Sequence, residues 1–224
     1  MVTKILEKIE IVYAKINEMF KTRGIIVMFH HVTDEYIDII ECCKCKTERF
    51  KEIISDIRKE YDIVSIDEIG KKHEKKYAVI TFDDGCQNVY TNAYPYLKAN
   101  NVPFTMYLTT SWIETEGYVT KEQVLELDKD PLVTIGYHTK THPQLRYVKN
   151  RKEEIWDSKE ELEQMLGHKI VHFAYPYGKI WSVGPLAMIL GLFLNYKTIV
   201  HTIDTPLTSF SLFFKRFLPR TIIM

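Results

Sequence analysis

The sequence predicts an α/β protein whose parallel sheet closes, or nearly closes, into a β/α barrel. Three observations lead there. Seven short apolar, β-branched runs recur, at 25–29, 63–66, 77–82, 103–108, 132–137, 170–175 and 196–200. They are continuous rather than alternating, the pattern of strands buried on both faces. Stretches with helical spacing of apolar residues separate them, as β/α folds require. An open doubly wound sheet would carry the same alternation.

The elements follow in order. Residues 4–20 place Ile5, Ile9, Val12 and Ile16 on one face, so residues 1–23 are set apart as an N-terminal amphipathic helix and 24–224 as one domain. Charges interrupt this segment every few residues, which argues against a secretory leader and makes the cytoplasm the expected location. Cys42, Cys43 and Cys45 crowd one loop and Cys86 stands alone; free thiols are expected rather than a metal site. A helix over 47–60 has Thr47 as its expected N-cap and Phe50, Ile53, Ile54 and Ile57 on one face. The next, 88–99, carries Pro95 in its middle, which strains it. Helices over 120–127 and 150–166 follow, the second with Gly167 as its C-cap. The last, 184–194, is unusually apolar and is expected to be buried; it falls short of the roughly 20 residues that span a bilayer. Thirty basic residues balance thirty acidic ones. That balance gives no global field for nucleic acid or an anionic membrane and leaves only a local patch open.

Chemistry concentrates where the strands end. Run 77–82 delivers Asp83-Asp84-Gly85, two adjacent carboxylates with a glycine for a tight turn. Neighbours on a strand point opposite ways, so the acids need not share a role. Run 132–137 delivers His138-Thr139-Lys140-Thr141-His142, whose i, i+4 imidazoles converge if the segment turns helically. Two imidazoles and one carboxylate form an open catalytic site for zinc or a similar metal. Run 170–175 delivers Pro176-Tyr177-Gly178, and run 25–29 delivers His30-His31. Four strands therefore present polar residues at the end where parallel β/α folds build active sites. Each motif alone is commonplace as a turn or surface pair; the coincidence is what carries weight. Tyr107, Trp112, Tyr137, Tyr175, Tyr177 and Trp181 lie near that mouth, with rings suited to sugar faces, although any one of them could simply pack the barrel.

Thr81-Phe82-Asp83-Asp84-Gly85, His138-Thr139-Lys140-Thr141-His142 and Tyr175-Pro176-Tyr177-Gly178 together resemble the three leading motifs of the polysaccharide deacetylases (NodB homology, carbohydrate esterase family 4). The resemblance implies a distorted (β/α)7 barrel over residues 24–224. It implies Asp83 as general base, Asp84, His138 and His142 as ligands of a divalent metal (zinc, or cobalt or nickel), and the Tyr177 N–H as oxyanion donor. It further implies an acetylated oligo- or polysaccharide substrate. The family's arginine before the third motif is here Ala174, and Arg216 is the candidate replacement. Met28-Phe29-His30-His31-Val32 is similar to the start of the circularly permuted poly-N-acetylglucosamine deacetylases, which makes His30 the acid and turns His31 away. His201 matches a late acid motif only loosely. Two rivals stay open: a glycan-binding barrel without catalysis, and another 2-His-1-carboxylate enzyme such as an iron oxygenase.

Overall fold

The computed structural model describes residues 19–37 and 43–222. The expected helix over 4–20, its last two residues apart, and Cys42 lie outside the described residues. Six strands run parallel and side by side: β1 (Thr22–Phe29), then β5 (Tyr77–Phe82), β6 (Phe104–Leu108), β7 (Val133–Tyr137), β8 (His172–Ala174) and β9 (Thr198–Val200). Between β1 and β5 in the chain come β2 (His31–Val32) and β3 (Lys44–Cys45), which pair with each other, and β4 (Asp62–Ile63), which flanks β5. After β9, β10 (Leu207–Thr208) lies antiparallel to the start of β1.

The seventh position is filled by an interrupted segment. Leu218 bridges Val200 in parallel; its N–H donates to the Ile199 carbonyl at 2.9 Å, and the His201 N–H donates to the Leu218 carbonyl at 3.0 Å. Three residues on, β11 (Thr221–Ile222) pairs in parallel with Val27 and Met28 of β1. One end of this segment thus grips β9 and the other grips β1, closing a distorted (β/α) barrel. Six of the seven expected runs appear as strands, β5 at its full expected length with every residue buried, whereas the run at 63–66 keeps only Ile63 in a strand and turns into a short 3-10 helix at Ile66.

The helices depart from expectation in instructive ways. Thr47–Glu60 buries Phe50, Ile53, Ile54 and Ile57, but Thr47 is its first residue and the preceding Lys46 gives no side-chain cap. Instead Asp34, from a distant loop, accepts the Thr47 N–H at 3.2 Å. Pro95 is accommodated because the helix opens as a π-helical turn, Val89–Ala93, and restarts as Tyr94–Ala99 with the proline in its first turn. No intrahelical donor is needed there. A second π-turn, Glu153–Asp157, splits the 150–166 helix before Lys159–Leu166, which stops at Gly167 with φ +78°. The apolar helix Pro185–Phe193 is not buried as expected: only Ala187 and Gly191 are, and Leu186, Ile189, Leu192 and Phe193 face outward.

Gly136 sits opposite Tyr107 in the β6–β7 ladder. A Cβ at Gly136 would come within 2.6 Å of Tyr107 Cε1, in a ring that is wholly buried. Gly136→Ala should therefore destabilise the fold by about 1–3 kcal/mol through overpacking, read as a lower urea midpoint. An unchanged midpoint would mean that the Tyr107 ring has room to shift.

Candidate metal centre and its second acid

The carboxyl ends of β5 and β7 lie two strands apart in the sheet, and their following loops bend toward each other. Asp84, Thr139, His142 and Tyr177 are four of the six described non-glycine residues with positive φ, at +74°, +69°, +55° and +59°. Left-handed backbone costs such residues energy and is held only where surroundings impose it. The His138–His142 segment therefore does not turn helically, as the spacing suggested. It is a loop whose two left-handed residues bring the imidazoles to a ring separation of 5.0 Å. Glu154 clamps that loop, accepting the Lys140 and Thr141 N–H groups, both at 3.0 Å, and the Thr141 hydroxyl at 2.8 Å. Thr139 Oγ1 accepts the His142 N–H at 3.0 Å.

Asp84 Oδ1 stands 3.4 Å from His138 Nε2 and 3.4 Å from His142 Nε2. One ligand atom from each of the three residues lies within 4.8 Å of the others. His138 Nδ1–H donates to the Ala174 carbonyl at 2.8 Å, which leaves the Nε2 lone pair aimed at Asp84. Burial holds both imidazoles neutral: His138 falls to about 4, and His142, lowered further by His138, to about 3. Asp84 Oδ1 is buried without a hydrogen-bond donor. Burial and the neighbouring Asp83 carboxylate push Asp84 up to about 8. An orphaned carboxylate oxygen facing two neutral imidazole nitrogens is a donor set that a divalent cation completes, and the cation's charge would hold Asp84 ionised. The residues present thus fit zinc or a similar metal.

Asp83 is buried beside the same cluster, its Oδ2 3.8 Å from His138 Nε2. Burial alone would raise its pKa, but the Arg220 guanidinium, then His138, hold it well below the usual carboxylate range. Arg220 binds Asp83 with a two-pronged contact, NH1 to Oδ1 at 2.6 Å and NH2 to Oδ2 at 2.7 Å. Its NH1 also reaches Thr81 Oγ1 at 3.3 Å, and its guanidinium lies 5.7 Å from the Tyr107 ring centre. The candidate arginine was Arg216, and the structure corrects this. Arg216 donates to the carbonyls of Tyr196 (2.9 Å) and Leu192 (2.5 Å), away from the acids, and Arg220 supplies the guanidinium.

His30 directly follows β1, where the Asp83 N–H donates to the Phe29 carbonyl at 3.0 Å. Burial lowers its pKa, Asp83 draws it up and Arg220 lowers it again. His31 turns aside to Asn88 Nδ2 (2.9 Å) and Cys86 Sγ (3.3 Å). Tyr177 is held by Thr202, whose hydroxyl donates to its carbonyl at 2.8 Å, and its ring lies 4.9 Å from that of His142. His201 is buried, and its Nδ1 accepts the Ile203 N–H at 3.0 Å. Of the aromatics expected at the mouth, Tyr107, Tyr137 and Tyr175 are buried packing residues, Trp112 lies tilted against the His142 ring at 5.0 Å, and Tyr177 and Trp181 are exposed.

His142→Ala removes one of three donors and should lower bound zinc in the purified protein from about one equivalent to a small fraction. Unchanged metal content by atomic emission would show that the cation sits elsewhere.

Several known proteins are similar to this chain. A family model described as polysaccharide deacetylase matches residues 70–183. Over 111 residues the chain is 31% identical to YxkH of Bacillus subtilis (strain 168), whose name assigns it to the polysaccharide deacetylases; the match covers 49% of this chain and 39% of YxkH. It is 30% identical over 135 residues to the poly-beta-1,6-N-acetyl-D-glucosamine N-deacetylase of Escherichia coli (strain K12), covering 50% of this chain and 20% of that protein. The chain thus spans well under half the length of these relatives. Among solved structures, the deacetylase PplD of Streptococcus pyogenes superposes with a TM-score of 0.79 at 23% identity, over 90% of this chain and 92% of PplD. IcaB from Ammonifex degensii superposes with a TM-score of 0.70 at 20% identity, over 92% and 93% of the two chains. At those identities the superpositions establish the fold.

Proposed function

The chain belongs to the polysaccharide deacetylase family, and on that premise we propose that it is a metal-dependent hydrolase that removes acetyl groups from an N-acetylated or O-acetylated carbohydrate. The observation that carries this reading is the pairing of two adjacent acids with opposite environments. Asp84 faces two imidazole nitrogens at 3.4 Å, while Asp83 is held ionised by Arg220. Asp84, His138 and His142 would hold the cation, and zinc, cobalt or nickel suits their donor set. When bound, the cation supplies Lewis acidity toward the acetyl carbonyl and toward water. Asp83 takes the proton of the attacking water, a task that needs an ionised carboxylate at neutral pH. The Tyr177 N–H, fixed by the Thr202 contacts and the left-handed turn, stabilises the developing oxyanion. His30, which the Asp83 charge draws toward its protonated form, gives that proton to the leaving nitrogen, which departs poorly as an anion, and takes back the proton that Asp83 removed from water. Residues 24–224 form the catalytic domain in this reading, and the substrate is an acetylated oligo- or polysaccharide.

The case for a barrel that only binds glycan rests on two points, Ala174 standing in the arginine position and the lack of a clear late acid motif. Arg220 answers the first by bringing a guanidinium to Asp83 from the closing segment, and His30 is the acid proposed against the second. An iron oxygenase would share the three donors but would give Asp83 no part. Acetate release from acetylated chitooligosaccharides tests the proposal. Release is expected from the purified protein, lost with a chelator and restored by zinc. Release that persists unchanged after chelation would overturn the metal requirement, and no release at all would favour glycan binding alone.

A further inference from the structure

The thirty cations and thirty anions of the chain are unevenly placed. Residues 70–76 lead into the start of β5, Lys197 into the start of β9, and Lys215-Arg216 into the closing segment. All three approach the amino ends of parallel strands, the barrel face opposite Asp84, His138 and His142. A groove of about 560 Å³ on that face is lined by Lys71, Lys72, Lys75, Lys76 and Lys215 among others, and Glu74 is the one carboxylate among its described lining residues. Lys72, Lys75 and Lys76 are all exposed.

Aromatic rings stand beside these cations. Phe210 stacks on Phe20 at 5.9 Å and meets Phe214 edge-on at 5.5 Å. Phe213 is 81% exposed and lines both the lysine groove and a second one with Leu192, Lys197 and Arg216. Single exposed apolar residues are ordinary, but a cluster of phenylalanines rimmed by lysines marks a contact surface.

We propose that this face docks on an anionic lipid surface, with the lysines at the head groups and Phe213 and Phe214 entering the interfacial zone. Lysines beside an anionic surface and rings at the head-group level are complementary to such a membrane. A soluble polyanion would engage the lysines and leave the rings in water. A second copy would set these lysines against their own equivalents, which repels. No described helix is long and apolar enough to cross a membrane; the attachment proposed is peripheral. Strands of five or six residues at roughly 3.3 Å each put the metal centre on the order of 20 Å from the docked face, facing away from the lipid.

Co-sedimentation of the 224-residue chain with vesicles tests this. Binding is expected to phosphatidylcholine vesicles containing phosphatidylglycerol, not to phosphatidylcholine alone, and should weaken in high salt. Lys72→Glu/Lys75→Glu/Lys76→Glu and, separately, Phe213→Ser/Phe214→Ser should each weaken binding at least about tenfold. All five positions are at the surface, so thermal unfolding should be unchanged. Failure to bind the anionic vesicles would overturn the proposal. So would full binding by the serine variant, which would indicate a purely ionic site, or light scattering showing a dimer that Phe213→Ser dissolves.

Discussion

Asp83→Asn is expected to lower acetate release by about 10²–10⁴-fold, the range that removing a positioned general base gives, while zinc content stays at the wild-type level. The second half follows from geometry. Asp84 and the two imidazoles carry the nitrogen and oxygen atoms that converge, whereas both oxygens of Asp83 are taken by Arg220. Asparagine keeps the shape and loses the negative charge that accepts a proton. Activity and metal content measured on the same preparation separate the two roles. Near wild-type turnover would remove Asp83 from proton transfer, and loss of zinc would make it a ligand instead.

Arg220→Met should destabilise the protein by about 3–5 kcal/mol, the usual result of stripping one partner from a buried ion pair. Arg220 is fully buried and Asp83 is 2% exposed, so little water reaches the carboxylate left behind. The loss should be visible as a lower urea midpoint at neutral pH. Activity should fall too, because burial then dominates at Asp83 and favours its protonated, non-basic form. Adding Asp83→Asn to Arg220→Met removes the stranded charge and should recover part of the stability. A double-mutant cycle with strictly additive losses would show that the two side chains are not coupled.

What was legible in the sequence depended on whether one element or several had to be read at once. β5 could be read because its six residues are all buried in one unbroken run, and Asp83-Asp84 at its end came with it. The meeting of Asp84 with His138 and His142 was legible as chemistry, though not as geometry. The loop uses left-handed Thr139 and His142 instead of a helical turn, and spacing carries no sign of φ. Arg220 was missed because its role exists only once the barrel closes. Phe217-Leu218-Pro219 is too short and too interrupted to read as a strand, yet it brings Arg220 to Asp83 across 137 residues. The run Phe217–Leu218 before Thr221-Ile222 was the available signal. Glu154 was equally hidden, since the groups that donate to it lie in a loop thirteen and fourteen residues earlier. The Pro185–Phe193 helix shows the limit of composition: apolarity marks a face that favours cover, without showing what covers it.

Anomalous diffraction at the zinc edge from crystals grown with one equivalent of zinc tests the central claim most directly. A single peak is predicted at roughly 2.0–2.2 Å from an Asp84 carboxylate oxygen and from Nε2 of both His138 and His142, with Asp83 bound to Arg220 and outside the coordination shell. A peak at another site, or one that His138 and His142 share without Asp84, would contradict it.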